Sequence, residues 1–128
     1  MREETFRWWQ QAQGDLETAR DNFQTRHYDA CAFYSQQAAE KALKALHIHL
    51  LRQMPPKTHD LHRLVDALPF PPELQKPIRR LNPSYATARY PDAANGVPLE
   101  AFDEQIADHH LEDAQRVLQW VKAQLGPP

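Results

Sequence analysis

The chain has 128 residues, 41% of them apolar and 25% charged, with a net charge of −2. That length gives one domain, residues 1–128, with enough chain for a core without staples, and the charge excludes a globally basic nucleic-acid binder. The lone Cys31 excludes an internal disulfide and fits a reducing cytoplasm, and neither a membrane span of ~18 apolar residues nor a signal peptide is expected.

Glycine is scarce at 3 residues and proline abundant at 11, and the prolines fall outside the long periodic stretches. This is the distribution of an all-α protein with stiff connections: an antiparallel up-and-down bundle of four to five helices. The first helix is expected from about Glu3 to Phe23, with Phe6, Trp9, Leu16, Ala19 and Phe23 on one face and Trp8 pointing away from it. Gly14 weakens it by about 1 kcal/mol relative to Ala. A turn at Gln24–His27 is short enough only for an antiparallel hairpin.

The central helix follows at about 28–53 and stops before Pro55-Pro56. Tyr28, Cys31, Ala32, Ser35, Ala38, Ala39, Ala42, Ala45, Leu46 and Leu50 make a stripe of small and apolar residues that lets a neighbour approach closely. Phe33 and Leu43 form a second apolar line, and a helix apolar on more than one side is central in a bundle or shared with a partner chain; Trp8 is either a partly exposed indole or a contact with a second chain. Gln36, Gln37, Glu40, Lys41 and Lys44 are the polar remainder, and Glu40 to Lys44 is a favourable i,i+4 pair.

Thr58 can cap a third, short helix faced by Leu61, Leu64, Val65 and Leu68 and ended by Pro69. Pro71 or Pro72 opens a fourth segment with Leu74, Ile78 and Leu81 on one side, and Pro77 is expected to kink it. From Asn82 to Pro98 the periodicity is lost, and a loop of that length in a small bundle is functional or disordered. The last helix is expected from Leu99, with Phe102, Ile106, His110, Ala114, Val117, Val121 and Leu125 inward and Gly126 with the final prolines ending it.

Several blocks then resemble a known family. They are Gly14-Asp15-Leu16 with Ala19, Tyr28-Asp29-Ala30-Cys31-Ala32-Phe33, Gln36 through Ala45, Thr58-His59-Asp60-Leu61, and Tyr85 followed by Arg89-Tyr90-Pro91. In that order and spacing the chain resembles the HEPN domain family (higher eukaryotes and prokaryotes nucleotide-binding) over nearly its whole length. The resemblance implies a helical bundle, a homodimer, and a separate nucleotidyltransferase as partner. It also implies one of three roles: a nucleotide-binding module, a structural module, or a metal-independent endoribonuclease of toxin–antitoxin type.

The ribonuclease members carry Arg-x4-6-His, in which arginine stabilises charge at phosphorus and histidine moves the 2′-hydroxyl proton. Arg20…His27 and Arg52…His59 fit that spacing, but with 10 arginines and 7 histidines chance supplies about 1.6 such matches. By position the family's arginine corresponds to Arg89. Asn95 follows it where histidine belongs, and the next histidine is His109. Asparagine can bond a phosphate oxygen but is no general base, so the non-catalytic readings are favoured.

Candidate residues follow from this. Arg89 with Tyr85 and Tyr90 suits phosphate and base recognition, or else a loop pinned by tyrosine packing and an Arg–carboxylate pair. Asn95 belongs with that group. Lys41 and Lys44 form either a basic patch or a solvated helix face. His59 is either a base supplied from another loop or, with Asp60, a residue that caps the third helix or has another structural role. His59 and His62 share a face, but no Cys/His cluster or HExxH appears, so no metal is expected, and no cofactor. The chain is read as a dimeric HEPN module that binds a nucleotide, RNA or a partner nucleotidyltransferase. The alternatives are a metal-independent ribonuclease using Arg89 and His59, or a dimerisation scaffold.

Overall fold

The computed structural model describes residues 1–127; Pro128, the last of the two prolines expected to end the final helix, lies outside the described residues. Three long helices frame the fold: α1 (Glu3–Gln24), α2 (Tyr28–Leu51) and α8 (Glu104–Leu125). Between α2 and α8 the chain makes five short ones: α3 (Leu61–Val65), α4 (Gln75–Leu81), α5 (Ser84–Thr87), α6 (Pro91–Ala94) and α7 (Pro98–Ala101). A 3-10 turn at Pro72–Leu74 leads into α4. No strand occurs among the described residues.

α1 and α2 form the expected hairpin, turned at Arg26, whose φ of 67° lies in the left-handed region. Their interface is built from small residues: Ala12, Ala19, Ala38, Ala39, Ala42 and Ala45 are fully buried. Methyl-sized side chains let the helix axes approach, so α2 touches both α1 and α8. The start of α8 lies beside the start of α2, with Cys31 Sγ 3.8 Å from the Ala107 carbonyl. The long helices therefore run up, down and down, and the short helices between α2 and α8 make the return climb.

Several expectations shift. On α1, Phe6 is 48% exposed and Thr5 takes its inward place. On α2, Leu50 is exposed; Leu43 is fully buried, as in a helix central to the bundle, while Phe33 and Trp8 are part-buried, Trp8 against the core. Asp60, not Thr58, caps α3 by accepting from the His62 N–H at 3.0 Å, because it sits one residue before the helix. Pro77 occupies the first turn of α4, where its missing N–H has no helical partner to lose.

The stretch Asn82–Pro98 is not an irregular loop. Pro91 and Pro98 each open a one-turn helix, the position where a fixed φ helps and no donor is needed. α8 starts at Glu104 rather than Leu99, because Asp103 caps it by accepting from the Ile106 N–H at 2.8 Å. That later start turns Ile106 outward and Ala107 inward.

Candidate functional site

The polar residues of α2 decide where the site lies. Arg52 ends α2 in the left-handed conformation, and the chain doubles back over the helix. Gln36 Nε2 donates to the His59 carbonyl at 3.1 Å, and Pro55 is buried under the returning segment. The polar stripe expected to face water is thus covered: Gln36 is fully buried, Glu40 3% and Lys44 7% exposed.

Burial of charge demands pairing. Lys44 Nζ donates to Glu40 Oε2 at 3.1 Å, the i,i+4 pair expected from sequence, and Lys41 pairs with the buried Asp15 of α1. Neither lysine contributes to an open basic patch. Their charges are matched inside the bundle, which corrects the patch and solvated-face readings together.

Glu40 has a second partner. His59 Nδ1–H donates to Glu40 Oε1 at 2.8 Å, since a carboxylate only accepts. The Glu40 side chain is 4% exposed and that of His59 58%. A buried carboxylate holding one imidazole nitrogen leaves Nε2, the acceptor nitrogen of a neutral ring, directed away from it. That is how enzymes orient a proton-transferring histidine. His59 does not cap α3; that role is Asp60's.

α5 lies across α2 and brings two more candidates to this face. The Tyr85 ring stacks on His59 with centroids 5.1 Å apart and planes at 26°. One turn on, the Arg89 guanidinium lies over the Phe33 ring at 4.5 Å from its centroid. Among the described residues, no carboxylate forms an ion pair with Arg89. The guanidinium lines an open cavity of about 440 Å³ whose other walls include Asp29, Tyr34, Val97 and Leu99. Phe33 and Glu40 are two turns apart on α2, so Arg89 and His59 have anchors about 10 Å apart along that helix. That exceeds the span of one phosphate and suits two positions on a longer ligand.

The remaining candidates lie apart from these. Tyr90 caps α6 and is 54% exposed. Asn95 ends α6 with φ 52°, a conformation asparagine tolerates better than most residues, and it does not line the Arg89 cavity. Of the two Arg-x6-His pairs, His27 bonds Thr25 and His59 bonds Glu40; neither bonds its arginine. Among the described residues no group of three His, Cys, Asp or Glu is placed to hold a metal.

α5 is fastened from below. His110 Nδ1–H donates to the Ile106 carbonyl at 3.0 Å, which leaves Nε2 to accept from the Ser84 hydroxyl at 2.7 Å. Ser84 is 2% and His110 7% exposed, so this serine–histidine pair is structural. Beside it, Arg80 of α4 grips Asp113 of α8 through two bonds, at 2.8 and 2.6 Å. Sequence reasoning missed Glu40 as the partner of His59 and Phe33 as the platform for Arg89. Both stood in the periodic helix, where nothing in the spacing marks which residue a distant loop will reach.

The HEPN domain model matches residues 6–124 of the chain. A Methanocaldococcus jannaschii protein named "Putative toxin MJ1304" is 28% identical over 130 residues, covering 87% of this chain and 81% of the relative. The crystal structure of TT1696 from Thermus thermophilus superposes with a TM-score of 0.88 at 31% identity, covering 97% of this chain and 100% of that one. That of ST0689, described as an archaeal HEPN homologue, gives a TM-score of 0.83 at 32% identity over 98% and 100%.

Proposed function

The chain belongs to the HEPN domain family, and from that premise we propose that it is a nucleotide- or RNA-binding module whose ligand face is Arg89, Phe33, Tyr85 and His59. The observation that carries this reading is the Arg89 guanidinium: over the Phe33 ring, without an ion pair among the described residues, and open to a cavity. Guanidinium forks match phosphate oxygens, and an aromatic face attracts the cation placed over it. The reading takes the protein as a homodimer paired with a nucleotidyltransferase, as family membership suggests. Exposed Leu50, Leu51 and Met54 at the end of α2 support a second chain there. Sedimentation equilibrium at micromolar concentration is expected to give twice the chain mass; a monomer removes the dimer from the account.

The binding test is calorimetry of ATP, GTP and a short single-stranded RNA in EDTA, on wild type and Arg89→Ala. Heat that disappears in the variant with RNA intact is the expected result. Equal heat in both proteins refutes the Arg89 site.

One observation favours a second reading, metal-independent RNA cleavage: the buried Glu40 carboxylate holds His59 through Nδ1, an arrangement that can orient a proton-transferring imidazole. The toxin-named relative points the same way. RNA cleaved in EDTA, and left intact by His59→Ala and Arg89→Ala, would move the protein to that class.

A further inference from the structure

The Arg89 cavity holds opposite charges that do not meet. Asp29, in the first turn of α2, and Arg89, just past α5, line the same space of about 440 Å³. Among the described residues neither forms an ion pair, with the other or elsewhere. Asp29 precedes Phe33 by one helical turn, about 6 Å of rise, and the guanidinium lies 4.5 Å from the Phe33 ring centroid. The two charges are therefore close neighbours, yet too far apart to bond directly. A ligand that spans them presents an anion to Arg89 and hydrogen-bond donors to Asp29, because a carboxylate only accepts. A second anionic group at Asp29 is repelled. The remaining wall is largely apolar: Val97 and Leu99 are 49% and 69% exposed, and Tyr34 adds an aromatic ring.

We propose that this cavity is a ribonucleotide pocket in which Asp29 accepts from the ribose hydroxyls. The inference rests on the phosphate reading of Arg89 above and narrows the ligand to one that carries a 2′-hydroxyl. In a nucleotide the sugar joins phosphate to base. A carboxylate about one turn from the phosphate-holding guanidinium meets the sugar before the base. Carboxylates hold ribose hydroxyls in dinucleotide sites by the same chemistry. The 2′-hydroxyl is also the group by which a protein tells RNA from DNA at a single position. The base then covers Val97, Leu99 and Tyr34, a contact open to any base, so no base is selected. A first-turn carboxylate also suits the helix dipole, but that role alone gives no preference between sugars.

The full chain and its Asp29→Ala, Asp29→Asn and Arg89→Ala variants are titrated by calorimetry with AMP, GMP and their 2′-deoxy forms. Wild type is expected to bind the ribonucleotides about tenfold more tightly than the deoxy forms. Asp29→Ala is expected to lose that ratio. It binds the deoxy forms at least as tightly as wild type does, because a negative charge near the phosphate is gone. Asp29→Asn keeps a carbonyl acceptor and is expected to retain part of the ratio. Arg89→Ala weakens all four alike. Equal binding of ribo and deoxy forms by wild type overturns the pocket, and so does a ratio that persists in Asp29→Ala. If both guanine nucleotides outbind both adenine ones and Asp29→Ala removes that difference, the carboxylate reads the guanine N–H edge and the ribose assignment falls. Binding that needs Arg89 but ignores the sugar keeps the phosphate reading and refutes the pocket. A sugar preference that needs Asp29 while Arg89→Ala binds as wild type does upholds the pocket and refutes the phosphate site.

Discussion

Glu40 shows how much one side chain can organise. It stands inside the helix, almost without solvent, and spends its two oxygens on Lys44 and His59. Burial of a carboxylate costs several kcal/mol, and here the ammonium and the imidazole N–H offset it. Removing Glu40 therefore does more than delete a bond, because it strands a buried ammonium. Glu40→Ala is expected to lose about 3 kcal/mol of stability, read from the urea midpoint, and to release His59 from its fixed orientation. His59→Ala removes an exposed ring and is expected to cost far less. If the two variants unfold at the same urea concentration, the buried pair does not carry this weight. Nothing in the block Gln36–Lys44 marks Glu40 as special. Its spacing to Lys44 predicts an ordinary surface pair, and only the later reversal of the chain at Arg52 turns that pair inward.

At the scale of elements, the long helices were legible and the short ones were not. α1, α2 and α8 carry apolar residues at helical spacing over 22, 24 and 22 residues, and periodicity of that length dominates other signals. α6 and α7 have one turn each, too short for any period to register. Their signal was Pro91 and Pro98, which mark a helix start as readily as a loop. The site depends on α5, and α5 is held to α8 by Ser84 and His110. Burial pushes His110 below its ordinary value near 6.5, outweighing the Ile106 carbonyl and Asp113, which act the other way; Arg80 and His109 add to the lowering. Burial pushes His47 in the same direction. The unfolded chain then takes up protons more readily than the folded one. Stability from these histidines is fully present above pH 6.5 and is lost as pH falls below it. Urea midpoints measured at about pH 7.5 and about pH 5.5 are expected to drop for wild type and to drop less for His110→Gln. Equal drops in the two proteins would mean that His110 titrates alike folded and unfolded.

At the scale of the molecule, the fold matches that of two crystal structures from thermophilic and archaeal sources over nearly its whole length. Blocks spread from Gly14 to Pro91 carried the family resemblance, and the family model spans residues 6–124. The candidate site was half legible. Tyr85, Arg89 and His59 were marked by their blocks, and they lie along one face of α2. Asn95 was drawn in by its place after Arg89, and Lys41 and Lys44 by residue type; Asn95 ends a helix and the two lysines are paired with buried carboxylates. The chain has a net charge of −2, so it has no general field with which to hold RNA, and binding must rest on few contacts. This makes the salt dependence of RNA affinity the most direct measurement of the central claim, that Arg89 holds a phosphate. Affinity for a short single-stranded RNA is measured over a range of salt for wild type and Arg89→Ala. One phosphate contact fewer is expected to flatten the log–log slope by about 0.7 and to weaken binding about tenfold. The same slope and the same affinity in both proteins would contradict the account.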